Sequence, residues 1–174
     1  MELFEQSVLS IRDFFEAGGN VLWAILAVTT LMWTLIIERL WYFRTGLRRQ
    51  VRAVQQEWDA RQDTTSWYAK RVREELISRV ALAARRHLLM IRALMVMLPL
   101  LGLLGTVTGM ISVFDVMAVL GTGNARLMAD GVYQATIPTM AGLVAALSGL
   151  YLATWLEQRA ESEVQCVADA LVYH

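Results

Sequence analysis

Three stretches of this chain carry no charged side chain: Ala17 to Ile37, Ala93 to Phe114 and Gly131 to Leu156, of 21, 22 and 26 residues. Each is long enough to cross about 30 Å of hydrocarbon as a helix. In lipid every backbone polar group must be satisfied internally, so such runs leave the helix as the conformation of choice. A soluble bundle of 174 residues has no need of three of them, and 56% hydrophobic residues concentrated in this way set the chain apart from a soluble domain. The sequence therefore predicts an all-α integral membrane protein with three transmembrane helices.

The second run is not uniformly greasy. Gly102, Gly105 and Gly109 recur at three- and four-residue spacing, with hydroxyls at Thr106, Thr108 and Ser112. At about 100° per residue, Gly102, Gly105, Thr106 and Gly109 share an arc of roughly 100°. A lipid-facing helix gains nothing from that stripe. A helix pressed against another does, because glycine lets backbones approach and hydroxyls bond across the gap. The third run repeats the theme with Ala141, Gly142, Ala145, Ala146, Ser148 and Gly149, and Gln134, Pro138, Ala141, Ala145 and Ser148 fall on one face. The first run is different: after Gly18, Gly19 and Asn20 at its entry it has Trp23 and Trp33 inside it and only Thr29, Thr30 and Thr34 as polar groups among its bulky residues, so it reads as lipid-facing. The asymmetry predicts an inner layer of second and third spans and an outer layer of first spans. Three spans enclose no polar path alone, so a ring-forming homo-oligomer is the expected completion.

Charge fixes the orientation. Thirteen of the 16 Lys and Arg residues lie between Arg39 and Arg92, and basic loops stay cytoplasmic. The expected layout is an outer-face amphipathic helix over 1–16, transmembrane helix 1 over 17–37, a cytoplasmic helical region over 38–92, transmembrane helix 2 over 93–120, a periplasmic loop over 121–130, transmembrane helix 3 over 131–156 and a cytoplasmic C-terminal helix over 157–174. The N-terminus is then periplasmic and the C-terminus cytoplasmic. Phe4, Val8, Ile11 and Phe15 give 1–16 its apolar face; lying in the membrane interface and packing on neighbouring subunits both stay open as its use. MELFEQS lacks a basic n-region, so a cleavable signal peptide is not expected.

The cytoplasmic region has helical composition. Val72, Leu76, Val80, Ala83, His87 and Met90 approximate one face, capping residues in QDTTSW precede a new helix, and that helix is expected to continue unbroken into the membrane as far as Pro99. Trp41, Tyr42 and Phe43, just past Glu38 and Arg39, fit an interfacial belt. Six acidic residues between Glu38 and Glu75 dilute the arginines, and no basic face emerges, so nucleic-acid binding is not expected. The lone Cys166 excludes a disulfide framework.

No nucleophile motif, phosphate loop or cluster of metal ligands is present, so no catalytic residue, metal or cofactor is expected and the chain reads as a non-enzyme. The polar candidates for an ion path are Thr106 on the second span and Gln134, Thr136 and Thr139 on the third. Helix statistics alone favour a plainer use, in which these threonines only bond neighbouring backbones. Asp115 lies nine residues after Thr106, half a turn away around the helix. It reads as an interfacial carboxylate, with partner contact or proton entry as its functional alternative.

PLLGLLGTVTGMISVF, Pro99 to Phe114, and ATIPTMAGLVAAL, Ala135 to Leu147, resemble the second- and third-span signatures of the MotA/TolQ/ExbB proton-channel family. The short outer loop and three-span topology are similar to its ExbB/TolQ branch, and the chain is most like a short ExbB-type subunit. That resemblance implies a pentamer in the bacterial inner membrane around a dimer of a single-span ExbD-like partner whose intramembrane aspartate carries protons. The assembly would use proton motive force to drive a TonB-like protein and outer-membrane iron uptake. The resemblance also assigns Thr106 and Thr139 to the pore lining. One position departs: where the family often carries a glutamate, this chain has Gln134, which cannot titrate. A TolQ-like role in envelope integrity and a non-conducting membrane scaffold are the alternatives; a scaffold needs the glycines but not Thr106 and Thr139.

Overall fold

A computed structural model describes residues 2–61, 66–120 and 125–171, with side chains left undescribed at 2–17, 48, 120 and 125–127. The expectations for the side chains of 1–16, including Phe4, Val8, Ile11 and Phe15, and for 121–124 of the expected 121–130 loop lie outside the described residues, while 125–130 already belong to a helix. Four helices follow in order: α1 (Glu2–Asp59), α2 (Trp67–Arg85), α3 (Leu88–Leu120) and α4 (Ala125–Ala170). No strand occurs among the described residues. Three helical stretches are long and apolar enough to cross a membrane, and their most apolar windows are only 22%, 33% and 28% buried. The remaining apolar surface has to be covered by lipid or by other chains, because that much exposed hydrocarbon is not tolerated in water.

The chain forms two compact units, Met1–Met32 with Ala93–Leu150 and Trp33–Arg92 with Tyr151–His174. In the first, α1 bends at Gly19, whose φ of 63° and ψ of −163° lie in a region essentially restricted to glycine. Beyond the bend Leu22, Ile25 and Met32 are buried, at helical spacing, while Trp23, Leu26 and Leu31 are exposed. The first span therefore does not simply face lipid. One of its stripes packs inward, and Met32 lies against Gly149 of α4, where an added Cβ would meet its sulfur at 2.6 Å. α3 and α4 run through Pro99 and Pro138 without breaking. Each proline deprives the carbonyl four residues earlier of its helical donor, Met95 in α3 and Gln134 in α4.

The second unit holds the basic stretch. Ser66 caps α2, its hydroxyl accepting from the amide of Ala69 at 3.2 Å. Ala69, Leu76, Val80 and Ala84 form the buried stripe of α2. α2 stops at Arg85, and the expected continuous helix into the membrane is not found. Arg86 takes φ −53° and ψ 138°, and His87 takes φ 63°, the one non-glycine with positive φ among the described residues. These angles suit a type II turn, whose third position ordinarily requires glycine. The chain then restarts as α3 with its own buried stripe of Leu88, Ile91 and Leu98, which leaves Met90 exposed rather than on the expected face.

The break is held by tertiary contacts. Arg39 is 1% exposed, and its Nη1 donates to the carbonyl of Ala83 at 3.2 Å. That carbonyl would receive the amide of residue 87 in an uninterrupted helix. Nη2 of Arg39 lies 3.3 Å from His87 Nδ1, and the guanidinium sits 4.9 Å from the centre of the Tyr42 ring. Burial pushes the Arg39 pKa below its ordinary value; Glu38 and Tyr42 oppose that shift and Arg86 adds to it. Arg73 closes the far end of α4, donating from Nε to the Leu171 carbonyl and from Nη2 to that of Ala168, both at 2.6 Å. Pairs such as Arg92–Glu157 (2.7 Å) and Arg85–Glu161 (3.3 Å) are largely solvated, and such pairs contribute at most about 1 kcal/mol.

Candidate functional site

The glycines of α3 meet α4 along an antiparallel crossing. A Cβ on Gly102 would lie 2.9 Å from the Cα of Thr139 and 3.0 Å from the carbonyl oxygen of Pro138. A Cβ on Gly142 would lie 2.6 Å from the Leu98 carbonyl oxygen. The obstacles are backbone atoms, so these two positions tolerate no side chain without the helices moving. Further along, Gly105 faces the Pro138 ring and Gly109 faces Ala135. Gly102, Gly105, Gly109 and Gly142 thus belong to one contact, whereas Gly149 serves the α1 side. Ala141 and Ala145 are half-buried beside it. Pro138 and Ala135, which fill the glycine notches, had no role in the sequence reading beyond Pro138 sharing a face with Gln134. Their small or compact shape opposite a glycine stripe is the signal that identifies them.

The polar candidates fall in different places. Thr139 is in the crossing, and its hydroxyl donates to the Gly102 carbonyl of α3 at 2.9 Å. Thr106 is half-buried and donates within its own helix, to Leu103 at 2.7 Å. Thr136 is exposed and donates to Tyr133 at 2.8 Å; Gln134 is exposed as well. Asp115 is exposed near the end of α3.

A common chemistry runs through these hydroxyls. Thr108 donates to the carbonyls of Leu104 and Gly105, Ser112 to Thr108 and Ser148 to Ala145. With Thr106, Thr136 and Thr139, six hydroxyls of α3 and α4 therefore commit their single proton to backbone carbonyls. A hydroxyl in that state offers only lone pairs to a visitor. It can accept from a protonated acid or a hydrated proton, or coordinate a cation, and it cannot donate to an anion. The apolar walls around it raise the value of each such contact.

Comparison with known proteins identifies relatives of this chain. A protein from Synechocystis sp. named as an ExbB-like biopolymer transport protein is 28% identical over 180 aligned positions, covering 85% of this chain and 71% of the relative. The family model described as "MotA/TolQ/ExbB proton channel family" matches residues 41–168, which include α2, α3 and almost all of α4. With helices able to span a membrane and that match over most of its length, the chain is a multi-pass membrane protein belonging to the MotA/TolQ/ExbB proton channel family.

Proposed function

We propose that this chain is an ExbB-like, non-enzymatic subunit of a proton-driven motor in the bacterial inner membrane. Five copies form a ring, with the N-terminus periplasmic and the C-terminus cytoplasmic. The ring encloses a dimer of a single-span ExbD-like partner, and the assembly uses proton motive force to drive a TonB-like protein that energises outer-membrane uptake.

The observation that carries this reading is the acceptor character of Thr139 and Thr106. With its proton on the Gly102 carbonyl, the Thr139 hydroxyl favours a protonated carboxylic acid over a carboxylate at that level. Such a wall suits a path in which the titrating group belongs to another chain. Gln134 fits the same division of labour, since an amide at this position adds polarity but no titration. A scaffold would need the close crossing and with it the Thr139 bond to Gly102, but would be indifferent to the Thr106 hydroxyl, which bonds only within its own helix.

The test is Thr139→Val, which replaces the hydroxyl by a methyl at nearly equal volume. The expected outcome is an assembled complex that no longer supports proton-dependent uptake of siderophore-bound iron in cells relying on this gene. Normal uptake by an assembled Thr139→Val complex would remove Thr139 from the path. The partner assignment is checked separately by purifying the tagged chain from its native membrane. A co-purifying single-span protein with one intramembrane aspartate is expected, and a Tol-type partner in place of a TonB-type one would move the role to envelope integrity.

A further inference from the structure

The break between α2 and α3 places one imidazole nitrogen where two partners make opposite demands on it. His87 Nδ1 lies 3.3 Å from Arg39 Nη2 and 3.2 Å from Glu38 Oε2. A guanidinium only donates and an ionised carboxylate only accepts. A bare Nδ1 therefore satisfies Arg39, and an Nδ1–H, in the neutral Nδ1 tautomer or in the imidazolium, satisfies Glu38; no single state satisfies both, and the imidazolium pairs with the carboxylate charge as well. We infer that His87 is a proton-binding site that switches the helix break, exchanging Arg39 for Glu38 as its partner when the ring takes up a proton.

Each element of the switch is on the molecule. The His87 side chain is 33% exposed and that of Glu38 is 49% exposed, so protons reach the pair from solvent. Arg39 is almost wholly buried and its Nε already lacks a partner. Losing His87 as well leaves the guanidinium with the Ala83 carbonyl and the Tyr42 ring as its remaining contacts, facing an imidazolium of like charge. The Ala83 bond is also the one that substitutes for the interrupted helix. Weakening the hold of Arg39 therefore loosens the turn at 86–87, where a non-glycine residue is held at positive φ. Residues kept in such conformations persist only where their surroundings impose them. The other charges around the pair do not compete for His87. Arg85 and Arg92 are engaged by Glu161 and Glu157 of α4, and Arg86, whose charge acts on Arg39, has no acceptor to offer the imidazole. Histidine is the side chain whose charge ordinarily changes between pH 5 and 8, which sets the two pH values to compare. This role is independent of the ion path proposed above and needs no transport assay.

Hydrogen exchange on the full chain in lipid nanodiscs, corrected for the intrinsic pH dependence, reads the switch directly. The amide of Ile91, which donates to the His87 carbonyl at 3.0 Å, and the last turn of α2 report on the break. Exchange there is expected to be about tenfold faster at pH 5.5 than at pH 8, the factor that losing one hydrogen bond to a charged group corresponds to. His87→Asn accepts positive φ and offers Arg39 a carbonyl oxygen, so it should exchange slowly at both pH values. His87→Gly takes the turn freely without any side chain and should also lose the pH difference. Glu38→Gln removes the charge that rewards protonation and should shrink the difference. Equal protection at both pH values in the wild type overturns the inference, as does a full tenfold difference retained in His87→Asn, His87→Gly or Glu38→Gln.

Discussion

Gly142→Ala is a one-methyl change whose cost follows from the crossing geometry. The new Cβ would sit 2.6 Å from the Leu98 carbonyl oxygen and 3.3 Å from the Cα of Gly102. Both atoms belong to the α3 backbone, so no rotamer change relieves the clash. Restoring the 3.4 Å of ordinary contact moves the helices apart by about 0.8 Å. Thr139 lies on the same side of α4, three residues earlier. The same displacement stretches its 2.9 Å bond to the Gly102 carbonyl to about 3.7 Å, which is no longer a hydrogen bond. Losing that bond costs about 0.6–1.7 kcal/mol in a membrane, and overpacking adds about 1–3 kcal/mol. Alanine returns about 1 kcal/mol through its better helix propensity. The net expectation is a destabilisation of about 1–3 kcal/mol, measured by SDS-driven unfolding of the chain in mixed micelles through tryptophan fluorescence. Two comparisons sharpen the test. In Gly46→Ala the obstacle is the Tyr42 ring rather than backbone, so the strain falls on that ring's contacts with Arg39 and Gln50 and the α3–α4 crossing should keep its protection from exchange. Thr139→Val should be costly in the wild type and nearly free in the Gly142→Ala background, because the bond it removes is already broken. An unchanged stability for Gly142→Ala, or an undiminished cost of Thr139→Val in that background, would refute the close-contact reasoning.

Three further outcomes are expected. Gly19→Ala meets no atom within 4 Å, yet its φ of 63° and ψ of −163° should still cost about 1–3 kcal/mol, seen as a lower thermal midpoint. Arg73→Met removes both side-chain donors to the final carbonyls of α4, so exchange of amides in that last turn should rise by about tenfold while the α3–α4 crossing keeps its protection. Asp115→Asn, at an exposed position, should leave proton-dependent uptake within about twofold of the wild type; a loss comparable to that of Thr139→Val would put Asp115 on the proton route.

What the sequence conveyed and what it withheld divide along physical lines. The spans were legible because hydrocarbon imposes a length and a charge limit that composition alone must meet. The crossing was legible because glycines at three- and four-residue spacing have few other uses in an apolar helix. The difference between Thr106 and Thr139 was not. Both sit in small-residue motifs, but only Thr139 bonds across the crossing, and which residue meets which depends on a register that no single helix encodes. The break at His87 was hidden for a related reason. The run from Ser66 to Leu98 contains no glycine or proline, and helix periodicity continues through it. A local reading therefore extends the helix, and the side chain that ends it, Arg39, is 44 residues from the carbonyl it captures. A buried guanidinium needs acceptors more than an interior helical turn needs one particular amide bond, because an unpaired buried charge is the costlier defect. Removing the acceptor demand should thus restore what the local sequence prefers. Protonation of His87 leaves the guanidinium in place against the Ala83 carbonyl, so the break loosens without closing; in Arg39→Leu that carbonyl is free for an amide donor, and α2 and α3 should merge into one helix through residue 87, visible as new protection of the amides at 86–88. A break that persists unaltered in Arg39→Leu would mean that Arg39 follows the turn rather than causing it.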